Sequence, residues 1–220
     1  MIKQTCCFIV VLLLLSPTMI FSQSFTGGAK VGFDISQVDS DQHGGYKTIF
    51  PTGSLYAQTN FGEEQRASIA LGISYIRKGS KEVEKDATGD ITKIFAIQLD
   101  YIEVPVTFSW RLNKFRIPHI VDYTFKNKFC LEIGLSYAYL IKAQVNHGQG
   151  FIEPDRAFFN YDCGTHIGLT YYIGDHFFLN YRFSYTLFFL PIRKHPGGQV
   201  YGLNRGLYNN VMIFTVGWEF

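Results

Sequence analysis

Tyr208-Asn209-Asn210-Val211-Met212-Ile213-Phe214-Thr215-Val216-Gly217-Trp218-Glu219-Phe220 is the stretch that decides how the rest of the chain is read. Met212, Phe214, Val216, Trp218 and Phe220 share one parity, and Ile213, Thr215, Gly217 and Glu219 share the other. That is the period of a β-strand, with one large apolar face and one small or polar face. Such a strand invites aggregation in water but suits a wall between lipid and protein.

The same alternation recurs upstream. Ala29, Val31, Phe33 and Ile35 oppose Lys30, Gly32, Asp34 and Ser36; Leu55, Ala57 and Phe61 oppose Ser54, Tyr56, Gln58 and Asn60. Ile69, Leu71, Ile73 and Tyr75 oppose Ser68, Ala70, Gly72 and Ser74; Val104, Val106, Phe108 and Trp110 oppose Glu103, Thr107, Ser109 and Arg111. A long fifth segment sets Phe129, Leu131, Ile133, Leu135, Tyr137, Tyr139 and Ile141 against Glu132, Gly134, Ser136, Ala138 and Lys142. A sixth sets Tyr161, Ile167, Leu169 and Tyr171 against Asp162, Gly164, His166 and Gly168, and a seventh sets Phe177, Leu179, Tyr181 and Phe183 against Asn180, Arg182 and Ser184. With the closing stretch these make eight strands. From Ile94 to Tyr101 the apolar residues change parity, so a bulge is expected near Tyr101. Long polar loops are expected at 38–49, 78–93, 146–156 and 191–206, and shorter turns at 62–66 and 174–175; the connection 113–128 is long.

The start of the chain reads differently. Lys3 precedes an unbroken apolar run from Cys6 to Leu15, Pro17 ends it, and Ser22 offers a small residue before Gln23. Residues 1–22 are expected to be a cleaved secretory signal, because the run is shorter than the roughly 20 apolar residues that span a bilayer. Residues 23–220 then form one domain. Without Lys3, 19 Lys and Arg face 18 Asp and Glu, a balance that argues against nucleic acid as a partner. No other run is apolar enough for a spanning helix, which leaves a closed barrel as the way for this aromatic-rich, exported chain to enter a membrane. Cys130 and Cys163 fall near opposite rims, too far apart for a disulfide.

Alternation alone does not say which face points outward. The apolar register carries many Phe, Tyr and Trp side chains, and an eight-stranded barrel has room inside only for layers of side chains or one small ligand. The expected fold is therefore all-β: an eight-stranded antiparallel up-and-down transmembrane β-barrel, monomeric, with a polar, plugged lumen and its bulky face toward outer-membrane lipids. Both termini are expected on the periplasmic side. Phe61, Trp110, Phe129, Phe177, Trp218 and Phe220 would gather at one membrane interface, and Tyr75, Tyr139, Tyr161 and Tyr185 at the other. Inside, Lys30, Glu103, Arg111, Glu132, Lys142, Asp162 and Arg182 are candidates for a ladder of buried ion pairs, with Arg111 beside Glu132 and Lys142 beside Asp162. Pairing is expected because a lone buried charge is costly. A narrow charge-lined pore is the alternative.

Chemistry is sparse. His43, His119, His147, His166, His176 and His195 are scattered, and no nucleophile, base and orienting acid group together. His166 and Asp162 share a face, but two ligands are too few for a metal site. No catalytic, cofactor or metal residues are expected. A lipid-A-modifying enzyme remains a second alternative, although Ser184 and His195 make no recognisable set. Arg193, Lys194, His195 and Arg205 make the last loop basic, a match for lipopolysaccharide phosphates. The turn from Phe115 to Phe125 either docks a periplasmic partner or folds under the barrel.

Gly27-Gly28-Ala29-Lys30-Val31-Gly32-Phe33-Asp34-Ile35-Ser36 resembles the first strand of the PorT-like small outer-membrane β-barrels. Tyr101-Ile102-Glu103-Val104-Pro105-Val106 is similar to their mid-chain Tyr-Leu-Glu-Ile-Pro-Leu segment. Asp162-Cys163-Gly164 with Gly168, and the stretch from Asn209 to Phe220, also resemble that family. The resemblance implies insertion by the barrel-assembly machinery, with Phe214, Trp218 and Phe220 in the recognised aromatic strand. Some relatives are associated with protein secretion. The expected role is structural or interactive, without catalysis, supporting secretion or envelope integrity.

Overall fold

The structure, a computed structural model, describes residues 25–112, 114–116, 124–126 and 128–220. The expected signal segment lies outside the described residues, as does most of the 113–128 connection. Eight long strands form the molecule: β1 (Phe25–Asp39), β2 (Thr48–Phe61), β3 (Ala67–Lys85), β4 (Ile91–Arg111), β5 (Phe129–Asn146), β6 (Tyr161–Tyr172), β7 (Phe177–Thr186) and β8 (Gly206–Glu219). Each pairs antiparallel with its sequence neighbour, and β8 pairs back onto β1 from Gly28–Glu219 to Asp39–Tyr208. The sheet is closed.

The ladder defines the barrel's shape. A path from Gly27 runs through Ala57, Leu71, Val106, Leu135, Thr165, Tyr185 and Asn210, and returns to β1 at Gln37, ten residues farther along. Such a stagger tilts the strands by roughly 35–45° to the barrel axis.

The parity expected from the sequence sets the two faces. Val31, Leu55, Leu71, Val106, Leu135, Ile167, Leu179 and Val216 are exposed on the outer wall, while Asp34, Glu103, Thr107, Glu132, Ser136, Asp162, His166, Arg182 and Thr215 are buried inside. Glycine sits inside where a large neighbour needs its space. A Cβ on Gly217 would overlap the Phe178 ring, and one on Gly134 would collide with His166.

Two features differ from the sequence reading. The register does shift at Asp100/Tyr101, but the extra residue is Ile141 on β5: Asp100 faces Lys142 and Tyr101 faces Leu140. β4 keeps one parity throughout, so Ile97, Leu99, Tyr101 and Glu103 all point inward. The change of apolar parity at Tyr101 therefore marks a change in what lines the lumen. The expected loop 78–93 is instead mostly strand. β3 runs to Lys85 and β4 starts at Ile91. Their turn is tight because the Asp86 carboxylate accepts from the backbone of Thr88 (2.9 Å) and Asp90 (2.9 Å), with Gly89 at φ +90°.

The β2–β3 ladder ends at Gly53–Tyr75. Above it, β2 pairs with β1 and β3 with β4. Pro51, which has no N–H to donate, lies in the unpaired edge of β2. Side-chain hydroxyls take over there: the Gly79 N–H donates to Ser36 Oγ (3.0 Å), and Thr52 Oγ1 donates to the Tyr75 carbonyl (2.8 Å).

Candidate functional site

The lumen holds the concentrated chemistry, and strand parity puts it there. At the loop end, Lys78 donates from Nζ to Glu103 (2.8 Å) and to Asp162 (3.0 Å). Asp162 also accepts from Thr186 Oγ1 (2.8 Å) and Asn209 Nδ2 (2.8 Å). The Tyr101 ring faces the ammonium at 5.1 Å. Three strands from distant parts of the chain thus meet on one cation.

At the terminus end, Glu132 accepts from Thr170 Oγ1 (2.5 Å), and Arg182 Nη2 stands 3.8 Å away. Lys30 lies between the Tyr56 and Phe178 rings, at 5.0 and 5.4 Å. Glu219 gathers the Tyr56 hydroxyl (3.1 Å), Gln58 Nε2 (3.2 Å) and the Tyr172 hydroxyl (2.9 Å). His166 Nε2 is 2.9 Å from Thr107 Oγ1.

The expected pairs are not the ones formed. Arg111 lies across the Tyr172 ring, 4.6 Å from its centroid, and Glu132 takes Arg182 instead. Lys142 does not reach Asp162: the extra residue Ile141 turns it onto the exposed outer wall. The cation on Asp162 is Lys78, which the sequence reading assigned to a loop. Its even parity continues Ser68, Ala70, Gly72 and Ser74, and that was the signal for it. Cys130 faces the lumen, Cys163 does not, and they are not bonded to each other.

Around and above the loop-end charges the lumen turns apolar. Val38, Ile76, Ile97, Leu99, Ala138, Val145, Val211 and Ile213 form one cluster. Phe158 and Ile192 from the loops complete it, held by backbone bonds from Phe159 to Ile192 (2.8 Å) and from Ile192 to Leu207 (2.9 Å). Two cavities among the lumen charges have volumes of about 40 and 20 Å³, room for one or two waters.

A family model described as outer membrane protein beta-barrel domain matches residues 8–220. The chain belongs to this outer-membrane β-barrel family. Among solved structures it is similar to Ail, the attachment invasion locus protein of Yersinia pestis, in complex with the heparin analogue sucrose octasulfate (12% identity, 90% of this chain and 99% of that one, TM-score 0.49). It is also similar to Neisserial surface protein A (12%, 89% and 97%, 0.42) and to OprG from Pseudomonas aeruginosa (10%, 90% and 97%, 0.38). No curated protein matches it.

As a member of this outer-membrane family, the chain has its exposed apolar wall in lipid. The aromatic rims frame that wall. Phe177 packs edge-on against Trp218 at 4.4 Å, and Phe129 lies 5.0 Å from Tyr171. At the loop end Tyr139 pairs with Tyr161 and with Ile102, which pairs with Tyr75. Just beyond, Arg77 grips Asp100 on the outer wall, with Lys142 facing Asp100 across the ladder. This polar tier marks where the apolar band ends. Farther out, Asp41 accepts from Ser80 and from the His43 N–H (2.8 Å). Burial pushes the Asp41 carboxyl up, against the pull of those bonds. Arg193 lies over Phe158 at 4.5 Å, and burial, helped by Arg156, lowers its pKa.

Proposed function

We propose that this protein is a non-enzymatic, non-conducting outer-membrane barrel whose role is structural or interactive, performed by its loop end and its periplasmic turns. In this reading a signal segment is removed, the barrel-assembly machinery inserts the chain as a monomer, and both termini face the periplasm. The observation that carries it is the filled lumen, whose loop-end charges are surrounded by an apolar cluster that Ile97, Val145, Phe158 and Ile192 extend toward the loop end. An ion crossing it would have to shed water into an apolar layer, which costs several kcal/mol or more. Recordings in planar bilayers test this. The expected result is no steady single-channel current; a stable, voltage-dependent conductance would overturn it.

The PorT-like resemblance extends the proposal to protein secretion or envelope integrity, with the turn from Phe115 to Phe125 in the 113–128 connection as the surface for a periplasmic partner. Site-specific crosslinking from that connection would identify one. The lipid-A-modifying alternative is disfavoured by placement: Ser184 is buried in the lumen, and His195 Nε2 is engaged with Asn204 Oδ1 at 2.9 Å in the last loop. Lipid A of unchanged mass in a deletion strain is the expected result there. Arg193 and Lys194 remain the candidate contacts for lipopolysaccharide phosphates, tested by binding after their neutralisation.

A further inference from the structure

The lumen charges do not balance, and the imbalance has an address. Toward the terminus end, Lys30, Arg111 and Arg182 face Glu132 and Glu219, an excess of one positive charge. Toward the loop end, Lys78 alone faces Asp34, Glu103 and Asp162, an excess of two negative charges. Among the described residues, four cations therefore stand against five carboxylates.

One of those five is unlike the rest. Asp34 is fully buried, and neither of its carboxyl oxygens has a hydrogen-bond partner. Its cross-strand neighbours are Phe50 on β2 and Ile213 on β8, which offer no polar side-chain atom. The charges that act on it come from Lys78 and Arg77 on β3 and from Glu103 on β4. Lys78 is committed to Glu103 and Asp162, and Arg77 to Asp100 on the outer wall. An ionised carboxylate left so would carry its full desolvation cost.

We propose that Asp34 is a proton-binding site, and that at neutral pH it holds the one proton that brings the lumen to four positive and four negative charges. A metal cation would balance the charge equally well, but it requires several oxygen ligands, and Phe50 and Ile213 supply none. A proton needs only the carboxyl.

Infrared difference spectroscopy on the protein isolated from outer membranes in detergent, wild type minus Asp34→Asn at pH 7, tests it. The expected difference contains the C=O stretch of one neutral carboxyl, unchanged when choline replaces sodium. Carboxylate bands in its place would overturn the proposal; if they respond to sodium, the site belongs to a metal cation. Asn is a neutral near-isostere of the protonated acid, so the variant is expected to assemble normally, and failure to assemble at pH 7 counts against the idea. Glu103→Gln removes one competing negative charge. It is expected to lower the pH at which the Asp34 band disappears by about one unit or more, and an unmoved band would sink the charge-balance argument. Should that variant not assemble, the Asp34→Asn spectrum decides alone.

Discussion

Leu135→Arg probes the outer wall where its surroundings matter most. Leu135 is 60% exposed and faces outward between Val106 on β4 and Thr165 on β6. From Phe129 to Tyr139, β5 rises ten residues. At roughly 3.3 Å per residue and a tilt near 40°, that is about 25 Å along the membrane normal, the height of a barrel's apolar band. Leu135 lies close to its middle. An arginine there is expected to cost roughly 2–4 kcal/mol, about thirty- to nearly a thousand-fold in the folding equilibrium, and the cost falls to roughly 0–1 kcal/mol near the interfaces. Leu131→Arg and Tyr139→Arg should therefore cost progressively less with distance from the midplane. Lys142 already sits beyond the rim. The assay is urea unfolding of the protein folded in phosphatidylcholine vesicles, followed by the fluorescence of Trp110 and Trp218. A wall facing water would accept arginine at all three positions equally. Leu135→Arg within about 0.5 kcal/mol of the parent would refute the facing assignment.

Lys78→Met leaves Glu103 and Asp162 facing one another without their shared ammonium, and is expected to cost about 3–5 kcal/mol in the same titration. Adding Glu103→Gln should recover a substantial part of that loss. Gly217→Val drives a side chain into the Phe178 ring and is expected to cost about 1–3 kcal/mol or more; Phe178→Ala in the same chain should relieve the clash, which thermal unfolding would register. Asp41 has a raised carboxyl pKa in the folded protein, so its contribution is fully present below the unfolded value of 3.8 and is lost as pH rises through the folded value. Hydrogen exchange of the 40–47 loop amides, corrected for intrinsic pH dependence, should show stronger protection in mild acid than at neutral pH.

The barrel and its facing were legible because period two is a direct imprint of a two-sided wall. Val31 and Lys30, or Leu135 and Ser136, differ by one position and lie on opposite faces. The pairing of lumen charges was less legible. Which residues meet across the interior depends on the ten-residue stagger and on one extra residue, Ile141, and neither leaves a mark in composition. That single residue moves Lys142 from the lumen to the outer wall. Lys78 was missed because its neighbours, Arg77, Gly79 and Ser80, resemble loop residues, although the strand continues through them. The apolar cluster at Ile97 and Leu99 was visible as a change in parity, but its meaning was not. The backbone does not switch faces; the lumen changes from charged to greasy.

Accessibility measured along a single strand bears most directly on the central claim. With Cys130 and Cys163 replaced by alanine, single cysteines at 131, 132, 133, 135, 136 and 137 on β5 can carry spin labels, each exposed in turn to a lipid-borne and a water-borne relaxation agent; Gly134 is left in place because a side chain there would meet His166. The account predicts that positions 131, 133, 135 and 137 respond to the lipid-borne agent, while 132 and 136 are shielded from both. Water-borne relaxation at 133 and 135, or lipid contact at 132 and 136, would contradict it.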